Sequence, residues 1–298
     1  MSVVLVLAAL LAGTYVVAVL EGWASTGRLR PAGPLVSGLA LLGRESLVPR
    51  KPDRIFFEVA PPLLLVAAVL AAAVLPLAPG LIVTDLATGA LFVNASFAYV
   101  MVAVLMAGWG PDGAYAMVGG FRFLGQLVAY SMLVVMPITA VAMRAESLLT
   151  TEVVTSQVSL WNALYQPLGF ALFFLAAMAI AFLPPFDLPI APGELAEGVL
   201  AEYTGWRLGV MRFGRALLVL TLALAVTVFY LGGWFGPVLP PWAWTALKTL
   251  AVAAVMLSVG RYVPRLREAD VLAWGWKYGI PLALVNIFYV GVVLLVAM

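Results

Sequence analysis

The sequence predicts an all-α, polytopic membrane protein with about eight transmembrane helices and an amphipathic interfacial segment after the first. Of its 298 residues, 64% are hydrophobic and 10% are charged, and the mean hydropathy is +1.10. Several apolar runs reach the length of about eighteen residues at which a helix can cross the hydrocarbon core. Because no long polar stretch separates these runs, we expect a single membrane domain over residues 1–298.

Eight apolar segments of about twenty residues each fit a membrane span. In lipid, backbone groups must find partners within their own segment, and the hydrophobicity here is continuous, so helices are predicted instead of a barrel. The first segment lacks the basic start of a secretory signal, and we interpret it as a retained helix. The predicted spans are 2–21, 59–79, 88–108, 121–143, 161–183, 213–235, 242–260 and 278–297.

The basic residues predict the orientation of these spans. The first, third, fifth and seventh connections hold 14 of the 16 Lys and Arg residues, whereas Arg144 lies at an outward end and Lys248 inside the seventh helix. Positive residues remain on the cytoplasmic side. Both termini are therefore expected on the non-cytoplasmic side, and the loops 21–58 and 184–212 on the cytoplasmic side, facing a peripheral partner. The abundance of Arg over Lys, and of Ala and Val, is typical of a GC-rich bacterial genome, and we expect the protein in a bacterial plasma membrane.

The first connection is long and amphipathic. Leu35, Leu39, Leu42 and Leu47 recur at near-helical spacing beside charged residues. This pattern predicts a helix lying along the membrane interface. The alternative is a solvated loop from which a few leucines dip into the membrane.

Acids gather in the connection after the fifth span, at Asp187, Glu194, Glu197 and Glu202, with Arg207 following. Ionisable groups near membrane depth are costly unless they are paired or hydrated, and their pKa values respond strongly to nearby charge. We interpret these five residues as candidates for a charge relay. On a helix, Glu194 and Glu197 would share a face, and Arg207, five residues beyond Glu202, is expected to neutralise one of the three glutamates. The alternative is that the acids form salt bridges with a partner subunit.

The chain contains no cysteine and no histidine. These residues are the usual ligands of iron–sulfur clusters, haem, zinc and copper. We therefore expect no metal site in this chain and no redox centre of its own. A membrane protein whose polar groups crowd one side, yet which cannot carry electrons, is expected to dock a partner that does.

A series of motifs in a fixed order resembles the H subunit (subunit 1) of respiratory complex I, the proton-pumping NADH:quinone oxidoreductase. The resemblance extends over almost the whole chain. Each motif alone is weak, but their order and spacing together are specific. The motifs are Pro52-Asp53-Arg54, Ala107-Gly108-Trp109, Gly119-Gly120-Phe121-Arg122, Gln166-Pro167-Leu168-Gly169-Phe170, Pro185-Phe186-Asp187-Leu188-Pro189, Glu202-Tyr203-Thr204-Gly205, Leu231-Gly232-Gly233-Trp234 and Pro264-Arg265-Leu266-Arg267.

The resemblance implies a membrane-arm subunit whose loops form part of a quinone chamber and whose acids begin a proton path. It implies partners in the peripheral arm that hold the iron–sulfur clusters and the rest of the quinone site, and antiporter-like partners in the membrane arm, but no nucleic acid. By resemblance, the quinone-binding candidates are Asp53, Arg54, Phe56, Arg122, Gln126 and Tyr130. The residues expected to contact lipid or partners are Arg261, Arg265, Arg267 and Lys277.

Plainer interpretations stand beside these assignments. Asp53 and Arg54 also suit a membrane-interface anchor, Arg122 can extend to the interface, and core packing explains a pair such as Gln126 and Tyr130, four apart on one helix face.

The chain departs from the family pattern at several acid positions. Ser131 stands where the family has a glutamate after the tyrosine, and Ile180, Ile190, Pro192 and Arg215 occupy other positions of proposed relay residues. A diverged complex I relative is one explanation. The anchor of a membrane-bound hydrogenase or formate hydrogenlyase, which needs no quinone, is another. From a different class, a stand-alone secondary transporter would be active without soluble partners.

Overall fold

The computed structural model describes residues 2–297, and the elements in this range are helical. A short 3₁₀ turn covers Gly198–Leu200, and a π-helical turn covers Gly275–Gly279. The α-helices are α1 (Ser2–Thr26), α2 (Gly33–Leu42), α3 (Arg54–Ala73), α4 (Gly89–Trp109), α5 (Ala114–Ala145), α6 (Thr150–Thr155), α7 (Asn162–Tyr165), α8 (Pro167–Ile180), α9 (Gly205–Tyr230), α10 (Pro241–Val259), α11 (Glu268–Trp274) and α12 (Ile280–Ala297).

Seven helical segments within residues 2–297 are long and apolar enough to cross a membrane. Six of them are single helices, and the seventh joins α11, the π turn and α12 into one continuous segment. These seven confirm the all-α polytopic class and match seven of the eight predicted spans, with ends that differ by several residues. The remaining prediction, a continuous helix over 161–183, is wrong.

That segment is a broken helix divided between α7 and α8. Gln166 lies at the break with φ −136° and ψ 71°, because the proline that follows disfavours helical geometry in the residue before it. The Asn286 side chain of α12 donates to Gln166 Oε1 at 3.0 Å and accepts from the Gly169 backbone N–H at 3.0 Å, so the break is held by a buried amide pair. The 14 residues of α8 span about 21 Å, less than the roughly 30 Å of hydrocarbon.

Helix α9 is the central column of the bundle. In its most apolar stretch, 89% of the residues are buried, compared with 22% in α1. It packs against α1, α3, α8 and α10, while α5 packs against α4, α8 and α12. The two helices thus organise two neighbouring groups that share α8, and α1 lies at the periphery.

The carboxyl end of α9 is fixed by buried polar side chains. Lys248 of α10 directs its Nζ to the carbonyl oxygens of Leu231, Gly233 and Phe235, at 2.7, 3.1 and 2.8 Å. Gln157 accepts the Gly232 backbone N–H at 2.9 Å. Leu231 is the residue that ends α9, and Gly233 and Phe235 lie in the turn after it, so Lys248 and Gln157 satisfy backbone groups of the turn that follows α9.

The helix predicted in the first connection is present as α2, but it ends at Leu42, so Leu47 of the predicted pattern lies outside it. Its apolar residues Leu35, Val36, Leu39 and Leu42 are between 57% and 68% exposed, whereas Leu41 is buried. The helix therefore presents a broad apolar surface away from the bundle while one leucine packs inward. Its location along the membrane interface remains a prediction.

The connection between α8 and α9 is unusually buried for an irregular segment. Residues 181–191 are almost all buried, and the backbone is tied by bonds from Ala191 N to Asp187 O and from Leu195 N to Ala191 O, both 2.8 Å. Ala196 and Glu197 adopt left-handed φ values of 46° and 73°. The segment is a series of turns, so the prediction that Glu194 and Glu197 share a helix face is wrong.

Candidate functional site

Asp187, in the buried connection, forms a two-pronged ion pair with Arg265. The guanidinium donates from Nε to Oδ1 at 2.7 Å and from Nη2 to Oδ2 at 2.5 Å, and Asp187 is 6% exposed. The Leu266 backbone N–H also donates to the Pro185 carbonyl at 3.2 Å. Bidentate arginine–carboxylate pairs are strong and directional. This pair therefore fixes the acidic connection to the segment between α10 and α11.

Arg122, near the start of α5, lies between two carboxylates. Its Nη1 donates to Glu194 Oε2 at 2.8 Å, and its Nε lies 3.4 Å from Glu268 Oε2, in the first turn of α11. The Arg122 hydrogen bond and charge hold the pKa of the exposed Glu194 carboxyl below its usual value. Three separate elements therefore meet at one guanidinium.

A second ion pair joins α9 to α3. Arg207 donates from Nε and Nη2 to the two carboxylate oxygens of Glu58, at 2.9 and 2.6 Å, and also donates to the Ser46 hydroxyl. The prediction that Arg207 neutralises one of Glu194, Glu197 and Glu202 is therefore wrong, because its guanidinium is paired with Glu58. Glu202 is instead an exposed side chain packed beside Gly113.

Tyr203 is the aromatic residue at the centre of a second cluster, which contains Arg207, Glu58 and Ser46. Its ring stacks on Phe57 with centroids 4.6 Å apart, and its hydroxyl donates to the Phe57 carbonyl at 3.2 Å. Burial, reinforced by the charge of Glu58, raises the pKa of the Tyr203 phenol well above its usual value. The phenol thus remains protonated and serves as a hydrogen-bond donor.

Gln126 and Tyr130 extend from the acidic connection into the bundle. Both are buried on one face of α5, as their spacing predicts. Gln126 donates from Nε2 to the Phe186 carbonyl at 3.1 Å, next to Asp187. Within the described chain, Gln126 Oε1 and the Tyr130 hydroxyl have no hydrogen-bond partner. A polar track thus continues one helical turn inward from the ion pair of Asp187.

Asp53, Arg54 and Phe56 occupy the beginning of α3 and are exposed or nearly so. The Asp53 backbone N–H donates to the Gly110 carbonyl at 2.8 Å, which ties the start of α3 to the end of α4. Their side chains form no ion pair within the described residues. Asp53, Arg54 and Phe56 therefore lie at the same end of the bundle as the ion pairs of Arg122 and Arg207, but on its outer surface.

Two of the four basic residues expected to contact lipid or partners are engaged within the chain. Arg265 binds Asp187, as described above. Arg261 donates to the carbonyls of Trp23 and Ala24 at the end of α1, and its guanidinium lies 4.6 Å from the Trp23 ring centroid. Arg267 and Lys277 remain available to a partner surface, because both are largely exposed.

Comparison with known proteins assigns the family. The sequence model of the NADH dehydrogenase family matches residues 22–291. The H subunit of the NADH-quinone oxidoreductase of Syntrophotalea carbinolica is 37% identical over 275 residues, which cover 89% of this chain and 82% of that protein. This chain belongs to the H-subunit family of NADH dehydrogenases. The resemblance inferred from the motifs is thereby confirmed.

A solved structure shares the fold of this NADH dehydrogenase family member. It is the membrane-bound sulfane sulfur reductase (MBS), described as an archaeal respiratory membrane complex. One of its chains aligns with a TM-score of 0.85 at 22% identity, over 97% of this chain and 98% of that one. At this identity the match establishes the architecture.

The positions at which this NADH dehydrogenase relative departs from the family pattern lie in contrasting surroundings. Ile180 and Ile190 are 2% and 7% exposed and belong to the apolar core, so apolar packing occupies those positions. Arg215, by contrast, forms an ion pair with Glu21 of α1. Two of these positions are thus apolar core, and the third holds a cation paired with an acid.

Three functional candidates were missed by the sequence analysis: Ser46, Glu58 and Glu268. Each contacts an arginine from a distant part of the chain, with 149 residues separating Glu58 from Arg207. Glu58 carried a usable signal, because a carboxylate at the edge of an apolar span requires a partner. Glu268 carried a weaker signal, since acids are favoured at the start of a helix.

Proposed function

We propose that this chain is a membrane-arm subunit of a complex I-like, redox-driven proton pump in a bacterial plasma membrane, with both termini on the non-cytoplasmic side. The observation that carries the proposal is the convergence of Asp187–Arg265, Arg122–Glu194–Glu268 and Arg207–Glu58 at one end of the bundle. The curated relative is a quinone enzyme, which favours this function over a hydrogenase anchor. Electrons would be carried by iron–sulfur partners docked at this end.

The proposed quinone chamber is formed between this end of the chain and a peripheral-arm partner. Asp53, Arg54 and Phe56 lie on the outer surface there, so they suit the shared wall of a chamber better than an interior site of this chain alone. Arg122, Gln126 and Tyr130 line the inner side of the same region. Quinone itself supplies the two-electron chemistry, while these side chains provide hydrogen bonds and charge near its headgroup.

The proposed charge relay begins at Asp187 and its partner Arg265. Because the Asp187 carboxylate is buried, although Arg265 reaches the surface, a change of charge nearby alters its energy more than it would alter that of an exposed carboxylate. Arg265 and Arg122 would respond to negative charge in the chamber by loosening their hold on Asp187 and Glu194, so that these carboxylates could accept protons. Glu194, Glu197 and Glu202 are exposed and suit proton exchange with the chamber, whereas Arg207 holds the α3–α9 contact through Glu58.

The test is a comparison of assembly with coupled turnover in the complex purified from its native membrane. Asp187→Asn and Glu202→Gln are expected to lower proton transfer per electron while the partners still co-purify. Glu152→Gln, an exposed acid at the opposite end of the bundle, is the matched control. Unaltered coupling in Asp187→Asn, with the complex intact, would remove this residue from the relay.

The first experiment identifies what purifies with the tagged chain in mild detergent. Iron–sulfur subunits and extractable quinone are expected. A nickel-containing partner without quinone would assign the same fold to a hydrogenase-type complex, and a chain active without partners would indicate a secondary transporter.

A further inference from the structure

Arg122 is shared between two carboxylates that it does not hold equally. Its Nη1 donates a hydrogen bond to Glu194 at 2.8 Å, whereas its Nε lies 3.4 Å from Glu268 Oε2. The second distance is longer than the roughly 2.7–3.2 Å of an N–H···O hydrogen bond. Glu268 is therefore held by charge and not by a hydrogen bond, and it is the weaker of the two partners of Arg122.

The carboxylate of Glu268 lies against the face of α5 that carries Arg122. Its Oε1 atom is 3.5 Å from the position that a Cβ would take on Gly125, three residues after Arg122. Residues three apart are neighbours on a helix surface. One oxygen of Glu268 thus faces Arg122 and the other faces Gly125, while Val271, the buried residue of α11, belongs to the same helix, which packs against α5.

Five charged side chains meet in this region, and the acids outnumber the bases. Asp187 is paired with Arg265, and Glu194 and Glu268 share Arg122. The hydrogen bond and charge of Arg122 lower the pKa of Glu194, and the charge of Arg265 adds a smaller contribution in the same direction. With all five side chains ionised, one negative charge has no partner. We assign it to Glu268, because the other two carboxylates each accept a hydrogen bond from an arginine.

Glu268 is placed where it can exchange a proton with water. Its side chain is 39% exposed. Arg267, the preceding residue, is also exposed and forms no ion pair within the described residues. On the side of α5, Gly125 is followed by Gln126, where the buried polar track toward Tyr130 begins. The carboxylate thus lies at the surface, beside the position on α5 at which that track starts.

We propose that Glu268 is a further proton-accepting carboxylate of the relay, and that it takes up a proton before Asp187 and Glu194 release their arginines. The inference rests on the proposed function, since it requires a redox reaction at this end of the bundle. One proton from water joins one carboxylate oxygen of Glu268, and no electron is transferred to the chain. The group then consists of two complete ion pairs, Asp187–Arg265 and Glu194–Arg122, and one neutral carboxyl.

Infrared difference spectra of the complex purified with its native partners, recorded between the oxidised and the reduced state, test the assignment. On reduction, the wild type is expected to gain the carbonyl stretching band of protonated carboxyl groups. In Glu268→Gln the area of this band is expected to fall by one carboxyl per complex, and the number of protons transferred per electron is expected to fall with it. A purely structural contact would loosen α11 without removing a carboxyl from the band.

Asp270→Asn is the matched control. Asp270 belongs to the same turn of α11, is exposed and forms no ion pair within the part of the chain that the structure describes. This variant is expected to keep both the band and the coupling. Bands of equal area in Glu268→Gln and Asp270→Asn would overturn the assignment of Glu268 alone, whereas the absence of any such band from the wild type would contradict the proposed relay as a whole.

Glu268→Asp covers the case in which Glu268→Gln does not assemble. It keeps a carboxyl in the same turn of α11, and the carboxyl of aspartic acid absorbs at a different frequency from that of glutamic acid. Part of the band is therefore expected to persist at a shifted frequency. A band that neither moves nor shrinks would show that another acid takes up the proton.

Discussion

Replacing Lys248 by methionine tests the most concentrated set of polar contacts in the bundle. The ammonium donates to the carbonyl of Leu231, which ends α9, and to those of Gly233 and Phe235 in the turn after it, at 2.7, 3.1 and 2.8 Å. It also lies 4.6 Å from the Trp161 ring centroid, a distance typical of a cation–π contact. Methionine preserves much of the side-chain length but removes every donor.

The expected loss follows from the three carbonyls that methionine leaves without this donor. The bond to the Gly233 carbonyl is buried, and those to Leu231 and Phe235 are partly buried. A buried acceptor left without a partner costs about 1–3 kcal/mol, so the three together cost about 3 kcal/mol at the lower end of that range. The variant regains part of the cost of burying an ammonium, which keeps the expected loss near this lower end. We therefore expect Lys248→Met to lower the free energy of unfolding by about 3 kcal/mol.

Equilibrium unfolding in mixed SDS micelles, followed by circular dichroism, measures this loss. Lys277→Met is the matched control, because Lys277 is exposed and its removal orphans no buried carbonyl. A free energy of unfolding for Lys248→Met equal to that of Lys277→Met would refute the view that Lys248 caps α9.

Three further changes probe the charged end of the bundle. Because the pKa of Glu194 is lowered in the folded state, its ion pair stabilises the fold fully above the pKa of an unfolded glutamate, and this stabilisation is lost as the pH falls through the folded pKa. The difference in unfolding midpoint between wild type and Glu194→Gln should therefore vanish in acid. A difference that stays constant with pH would contradict this. Arg207→Lys cannot keep both bonds to Glu58, and the same SDS titration should show a loss of about 1–3 kcal/mol; an unchanged value would mean that the pair is dispensable. In Gly198→Ala the new Cβ would lie 2.0 Å from a backbone carbonyl oxygen, at a residue whose φ is +50°, so the yield of assembled complex should fall sharply. The control Gly193→Ala places its Cβ in open space and should assemble normally. Equal yields of the two variants would show that the turn adapts.

The spans were predictable because continuous hydrophobicity is a local property of the sequence. The break at Gln166 was also encoded locally, since the proline after it disfavours helical geometry, but the apolar run around it concealed the interruption. The partner that holds the break, Asn286, is 120 residues away, and no local pattern connects the two amides.

The candidate site was predictable in its composition but not in its pairing. The sequence indicated which end of the bundle would hold Asp187 and Arg265, since loop charge determines the side of each connection. The pairing depends on tertiary contacts, which join residues 78 positions apart in this case. The sequence suggested one of the glutamates upstream as the partner of Arg207, whereas the fold supplies Glu58, because α9 packs against α3.

The burial of residues 181–191 has a practical consequence for anyone who attaches a reporter to this protein. Surface connections usually tolerate inserted tags, since water replaces their lost contacts. Residues 181–191 lie in the protein interior and have no regular secondary structure. An inserted epitope would therefore have to displace buried apolar side chains such as Leu183 and Leu188. Fluorophores and affinity tags are better placed in the exposed turn around Gly80, where an added Cβ meets nothing within 4 Å.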